Sequence, residues 1–154
     1  MSDTVPVAVD VRTEIDIDRA VAHVAAFAAE PGNAPRWYRR IARAEPLDGP
    51  ALGVGTRTRF QATFLGRTLD YVYEITEYTP GEHLTMTTVD GPFPMTTQYV
   101  WHELTTTSCR MGLRNHGDPQ GFGALTAPVV QLAMRRANQA DLRALKRLIE
   151  SPSA

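Results

Sequence analysis

Tyr71, Tyr73 and Tyr99 sit at alternating positions shared with Phe60, Phe64, Met86 and Trp101, and this pattern holds most of the chemical potential of the sequence. A phenol set in an apolar wall is a hydrogen-bond donor and a weak acid. Left without a partner, a buried hydroxyl costs about 1–3 kcal/mol. Three phenols, with the polar tips of Thr88, Thr97 and Asn115 on the same faces, fit a pocket for water or an oxygenated, ring-bearing ligand better than a dry core. The alternative is that some of these tyrosines reach the sheet rim and bond to solvent or backbone. Met86, Met95, Met111 and Met134 add adaptable side chains of the kind that suit a permissive binder or fill gaps in a core.

Other reactive groups are sparse. His23, His83, His102 and His116 lie at no metal-ligand spacing, and no paired Cys/His pattern exists, so neither a metal site nor a cofactor is expected. Asn115-His116, at the end of a strand, is the best-placed polar pair. His116 joins Tyr71, Tyr73 and Tyr99 as a candidate for proton transfer. Cys109, the only cysteine, falls on an apolar face and reads as a small buried hydrophobe with a raised pKa. No nucleophile-elbow motif is found. Gly121–Thr126 lacks the third glycine and the βαβ setting of a dinucleotide loop, although free N–H groups there can hold an anion or a ligand carboxylate.

These side chains need elements to position them. Val5, Val7, Val9 and Val11 alternate as in a strand with one buried face. Asp16 and Asp18 are N-cap candidates for a helix from about Ala20 to Ala28, which Pro31-Gly32 ends. A second short helix starts near Asn33 and leaves through Trp37-Tyr38. The period then becomes two, predicting strands near 40–48, 55–65, 67–78, 82–90, 94–104 and 108–116. The intervals are too short for crossover helices, so the sheet is an antiparallel meander, and its long strands require it to curve. Phe122 to about Glu150 is helical, with an apolar stripe Val129, Ala133, Ala137, Ala140, Ala144, Leu148. Arg136, Arg143 and Arg147 share one flank and read as a solvated edge. The result is α+β, one curved sheet with a long helix across it.

Alternation also sorts the faces. Phe60, Ala62, Phe64, Leu69, Tyr71, Tyr73, Ile75, Leu84, Met86, Met95, Thr97, Tyr99, Trp101, Cys109, Met111, Leu113 and Asn115 point to the helix side. Arg57, Arg59, Arg110 and Arg114 point away, and Arg67 turns inward only if a bulge shifts the register.

The 154 residues form one expected domain, 1–154, with an ordered core of about 5–150. Hydrophobic residues at 43% and charged residues at 21% exclude wholesale disorder. A net charge of −1 gives no field for nucleic acid or a polybasic membrane contact. No apolar run reaches the ~18 residues of a membrane span, no secretory leader is visible, and the lone cysteine suits a reducing interior, so a cytoplasmic location is expected. Monomer and homodimer are both compatible with the sequence.

Trp37-Tyr38, the turn Tyr78-Thr79-Pro80-Gly81-Glu82-His83-Leu84 and the run Thr97-Gln98-Tyr99-Val100-Trp101 carry a resemblance, over Val5 to Ile149, to the START/Bet v 1-like (SRPBCC) superfamily. Within it, the chain is most similar to the polyketide cyclase/dehydrase and coenzyme Q-binding branch. The resemblance implies a helix-grip fold, in which a seven-stranded antiparallel sheet wraps a long C-terminal helix around a deep apolar cavity. It also implies a hydrophobic small-molecule partner: a lipid, a quinone or an aromatic polyketide. The side chains expected to meet it are Trp37, Phe60, Phe64, Tyr71, Tyr73, Met86, Tyr99, Trp101, Met111, Asn115, Phe122 and Val129. Some members are cyclases or dehydratases that orient a poly-β-keto chain with an arginine and tyrosines. Here the inward faces offer tyrosines and no clear arginine. The expected functions are therefore ligand binding first, acid–base cyclase or dehydratase chemistry second, and a chaperone- or ribosome-associated interaction role third.

Overall fold

The computed structural model describes residues 9–49, 52–118 and 127–151. Strand β1 is Val9–Ile17, followed by helix α1, Val21–Ala29, a 3₁₀ turn at Pro31–Asn33 and the short helix α2, Ala34–Trp37. Six strands follow: β2 Ile41–Pro46, β3 Arg57–Phe64, β4 Arg67–Thr79, β5 His83–Asp90, β6 Met95–Thr105 and β7 Ser108–Gly117. Helix α3, Ala127–Glu150, is last. All pairings are antiparallel, in the order β1-β7-β6-β5-β4-β3-β2.

The meander is drawn by its turns. Leu65 and Gly66 both adopt positive φ, 50° and 76°, which is the twist a two-residue hairpin needs between β3 and β4. That regular hairpin keeps Phe64 opposite Arg67 and leaves Arg67 exposed, so the bulge that would turn Arg67 inward does not occur. Register shifts fall instead at Val72/Tyr73 and Ile75/Glu77 in the 13-residue β4, and they supply curvature the long strands require.

Two local expectations are corrected. First, Asp16 and Asp18 do not cap α1, whose N-cap is Ala20 with no side-chain bond. Pairing with β7 carries β1 on to Ile17, so Asp16 becomes a strand residue held by Arg110 at 2.7 Å. The Asp18 N–H donates instead to the Glu150 carboxylate at 2.8 Å. Second, the buried stripe of α3 is Val130, Asn138, Asp141, Leu142, Leu145 and Ile149, rotated from the expected one. Val129 is 48% exposed. Alanine is apolar on every face and phases a helix weakly, whereas the large Leu142, Leu145 and Ile149 decide which side is buried. Val5 and Val7 and the expected start of the last helix at Phe122 lie outside the described residues. Arg136, Arg143 and Arg147 are exposed, as a solvated edge requires.

The space between sheet and α3 is solid at one end. Ile17, Val24, Leu84, Trp101, Met111, Leu113, Leu142, Leu145 and Ile149 pack there, and Trp37 is driven in from α2. Toward the N-terminal half of α3 the packing opens. No described helix is long and apolar enough to cross a membrane.

Candidate functional site

The opening is a cavity of about 140 Å³. Its sheet wall is Phe60, Ala62 and Phe64 of β3, Leu69, Tyr71 and Tyr73 of β4, Met86 and Thr88 of β5, Met95, Thr97 and Tyr99 of β6, and Asn115 of β7. Met134, Ala137, Asn138 and Asp141 of α3 face them. Tyr38, Arg40 and Ile41 close one side, Pro92 and Phe93 another. Alternation delivers the sheet residues, since each strand contributes every second side chain.

Tyr73 meets Phe60 and Tyr71 edge to face, and Phe60 is tilted against Tyr71. Phe60 stands 5.9 Å from both Tyr71 and Tyr73, and Tyr71 lies 5.3 Å from Tyr73 at 86°. Three of the phenols are satisfied within the protein. The Tyr38 and Tyr99 hydroxyls bond each other at 2.7 Å, while Tyr73 is bonded to Thr97 at 3.0 Å and Thr97 to Asn115 Oδ1. Burial pushes the Tyr38, Tyr71 and Tyr99 phenols well above their ordinary value and Tyr73 up to about 12. All four are neutral at physiological pH and act as hydrogen-bonding groups. None is poised as a base.

The α3 wall carries the unexpected chemistry. Asp141 is 4% exposed, and its Oδ1 accepts the Arg39 backbone N–H at 3.0 Å. Burial raises its pKa to about 6, against the opposing pull of that N–H and of Arg40 and Arg39. One turn earlier, Asn138 is 5% exposed and its amide nitrogen has no partner among the described residues. An orphaned buried donor costs about 1–3 kcal/mol, and at a cavity wall it is placed to bond a ligand or water.

A pH signature follows. The unfolded carboxyl titrates near 3.8 and the folded one near 6, so between those values the native state binds more protons and stability falls as pH rises. Asp141→Asn keeps an acceptor for Arg39 and removes the charge. Above about pH 6 the variant is expected to be more stable than the wild type by about 1–3 kcal/mol, and the gap closes near pH 4. Urea unfolding of both proteins at about pH 4 and about pH 7 measures it. The same gap at both values would refute a perturbed Asp141.

Of the residues expected from sequence, the cavity brings together Phe60, Phe64, Tyr71, Tyr73, Met86, Tyr99 and Asn115. It leaves out four. Trp37, Trp101 and Met111 belong to the solid end of the core, and Val129 faces solvent. Phe122 lies outside the described residues. His116 is on β7 opposite Asp10 and Thr96, next to but not within the lining, and burial lowers its pKa. Cys109 is buried with its thiol pushed up by burial. No cluster of three or more metal-ligating side chains occurs among the described residues.

Sequence reasoning missed Tyr38, Arg40, Asn138 and Asp141 as lining residues. Arg40, exposed on the link between α2 and β2, places an arginine in the lining. Phasing α3 on Leu142, Leu145 and Ile149 would have put Asn138 and Asp141 in the buried stripe, and two polar residues there are a signal.

The family described as polyketide cyclase / dehydrase and lipid transport matches residues 8–150. No curated protein matches the sequence significantly. Among solved structures, a Thermus thermophilus protein is 19% identical, with a TM-score of 0.77 over 92% of this chain and 99% of its own. The Zhui aromatase/cyclase of a Streptomyces species is 14% identical, with a TM-score of 0.74 over 92% and 96%. A START superfamily protein from Mycobacterium smegmatis is 11% identical, with a TM-score of 0.77 over 92% and 97%. At these identities the likeness is one of fold.

Proposed function

The chain belongs to the polyketide cyclase/dehydrase and lipid transport family, within the START/Bet v 1-like superfamily, and on that premise we propose that it binds a hydrophobic small molecule between the sheet and α3. The observation that carries this reading is the aromatic cavity with an unpartnered Asn138 amide in its wall. Apolar surroundings with a few fixed polar groups are what small-molecule sites share. A ligand that fills the cavity stabilises the native state in proportion to occupancy.

A second reading, acid–base catalysis of the cyclase or dehydratase type, is favoured by one feature. Asp141 is a buried carboxyl raised to about 6 at the cavity wall, a value suited to exchanging protons near neutrality. It replaces Tyr71, Tyr73, Tyr99 and His116 as the leading proton-transfer group, because the phenols are held neutral and His116 lies outside the lining.

One experiment addresses both readings. Quinones, polyphenols, steroids and fatty acids are screened by thermal shift, and each mixture is then analysed by chromatography. A binder present at about a hundred times its Kd adds roughly 2.7 kcal/mol, which at this chain length raises Tm by about 5–10 °C. Stabilisation with full recovery of the compound supports binding. Conversion that Asp141→Asn abolishes supports the enzyme, and an unmoved Tm throughout the panel defeats the binding reading.

A further inference from the structure

The size of the cavity and the polar groups on its helix wall together restrict the ligand. A volume of about 140 Å³ matches the roughly 150 Å³ apolar cavity that holds one benzene ring. The rings of Phe60, Tyr71 and Tyr73 already present edges and faces at 5.3–5.9 Å spacing, a geometry another aromatic ring can join.

On α3, Asn138 and Asp141 are three residues apart and therefore neighbours on one face. Both are at least nineteen-twentieths buried, both line the cavity, and the two have complementary hydrogen-bonding deficits. Among the described residues the Asn138 amide nitrogen is a donor without an acceptor, and the hydrogen bond to Asp141 goes to Oδ1, from the Arg39 N–H. A hydroxyl meets both needs at once, since its oxygen accepts while its proton is donated. A hydrocarbon meets neither. A carboxylate would accept from Asn138 but would set a second negative charge beside Asp141.

Resting on the binding reading above, we propose that the cavity seats a single six-membered ring bearing a hydroxyl, the ring among Phe60, Tyr71 and Tyr73 and the hydroxyl between the Asn138 amide and the Asp141 carboxyl. Substituents larger than the ring extend out of the cavity. Long-chain lipids and fused three-ring compounds do not fit inside.

The test uses the full chain and four probes in titration calorimetry: p-cresol, toluene, dodecanoate and 9-anthrol. Toluene is the more hydrophobic of the two single rings, so burial alone favours it. The expected result is that p-cresol binds at least about tenfold more tightly than toluene, the scale of one well-made hydrogen bond. Asn138→Leu should reduce that preference severalfold while toluene still binds, the Asp141 acceptor being left in place, with Asn138→Ala as the second variant should leucine disturb folding. Toluene binding as tightly as p-cresol to the wild type overturns the proposal with no variant needed, and so does a preference left undiminished by the change at position 138. Dodecanoate or 9-anthrol binding while both single rings fail overturns it and leaves the broader binding reading standing. Silence from all four overturns the ring-and-hydroxyl assignment, and the wider panel above then judges the binding reading alone.

Discussion

Trp37→Ala is expected to lower the unfolding free energy by about 3–5 kcal/mol, the range for removing a large aromatic from a packed core. Trp37 is 1% exposed although it belongs to a helix of four residues. Its ring stacks on Tyr38 at 4.0 Å and meets Tyr99 at 5.9 Å. It also joins the cluster containing Val24 of α1 and Leu142 and Leu145 of α3. So short a helix has no stability of its own, and this one indole fixes it to the rest of the molecule. Truncation would leave a void beside the Tyr38–Tyr99 hydroxyl pair and loosen one side of the cavity. Urea denaturation with tryptophan and tyrosine fluorescence measures the loss; less than about 1 kcal/mol would mean that α2 is a passenger.

Gly117→Ala is the second large effect, expected at about 3 kcal/mol or more. Gly117 ends β7, pairs with Val9 on one side and Met95 on the other, and has φ 155°. A Cβ there would lie 2.3 Å from the Pro94 carbonyl oxygen and 2.9 Å from Met95 Cα. Both are backbone atoms, and the same Pro94 carbonyl accepts the Asp118 N–H at 3.1 Å. Neither can yield without opening the sheet beside Met95, which lines the cavity, so overpacking and backbone strain add. Gly112→Ala is the control, because on the same strand its Cβ would find nothing nearer than 3.8 Å. Comparable Tm losses in the two variants would remove steric crowding as the cause.

The strands were legible because burying one face of a sheet imposes a strict period of two. The expected 67–78 became Arg67–Thr79 and the expected 108–116 became Ser108–Gly117. The same rule placed Phe60, Tyr71, Tyr73 and Tyr99 on the inner face. It could not say how far along that face the hollow runs. Trp101 and Met111 point the same way as Tyr99 and Asn115 and yet sit in solid packing, since α1, α2 and the large side chains of α3 fill that end. Fill is a property of the opposing layer, which no single strand encodes. The helix was less legible. An alanine-rich pattern permits several phases, so the buried stripe was displaced, and Asn138 and Asp141 went unnoticed. Asp16 and Asp18 show another limit: a local capping preference worth about 1 kcal/mol gives way to the continued pairing of β1 with β7.

The attachment of α3 has a consequence for the order of assembly. Asp18 N–H to Glu150, Arg19 to the Glu150 carbonyl, Lys146 to the Asp16 carbonyl and Arg135 to the Arg12 carbonyl all join β1 and the residues just after it to the last helix. The sheet neighbour of β1 is β7, some hundred residues downstream. Chain closure over such separations costs entropy before any contact repays it, and it slows folding. During synthesis β1 emerges some hundred residues ahead of its partner and waits with an unpaired edge until β7 follows. Its charged Asp10, Arg12, Glu14 and Asp16 suit that interval, because edge charges discourage pairing with the wrong neighbour.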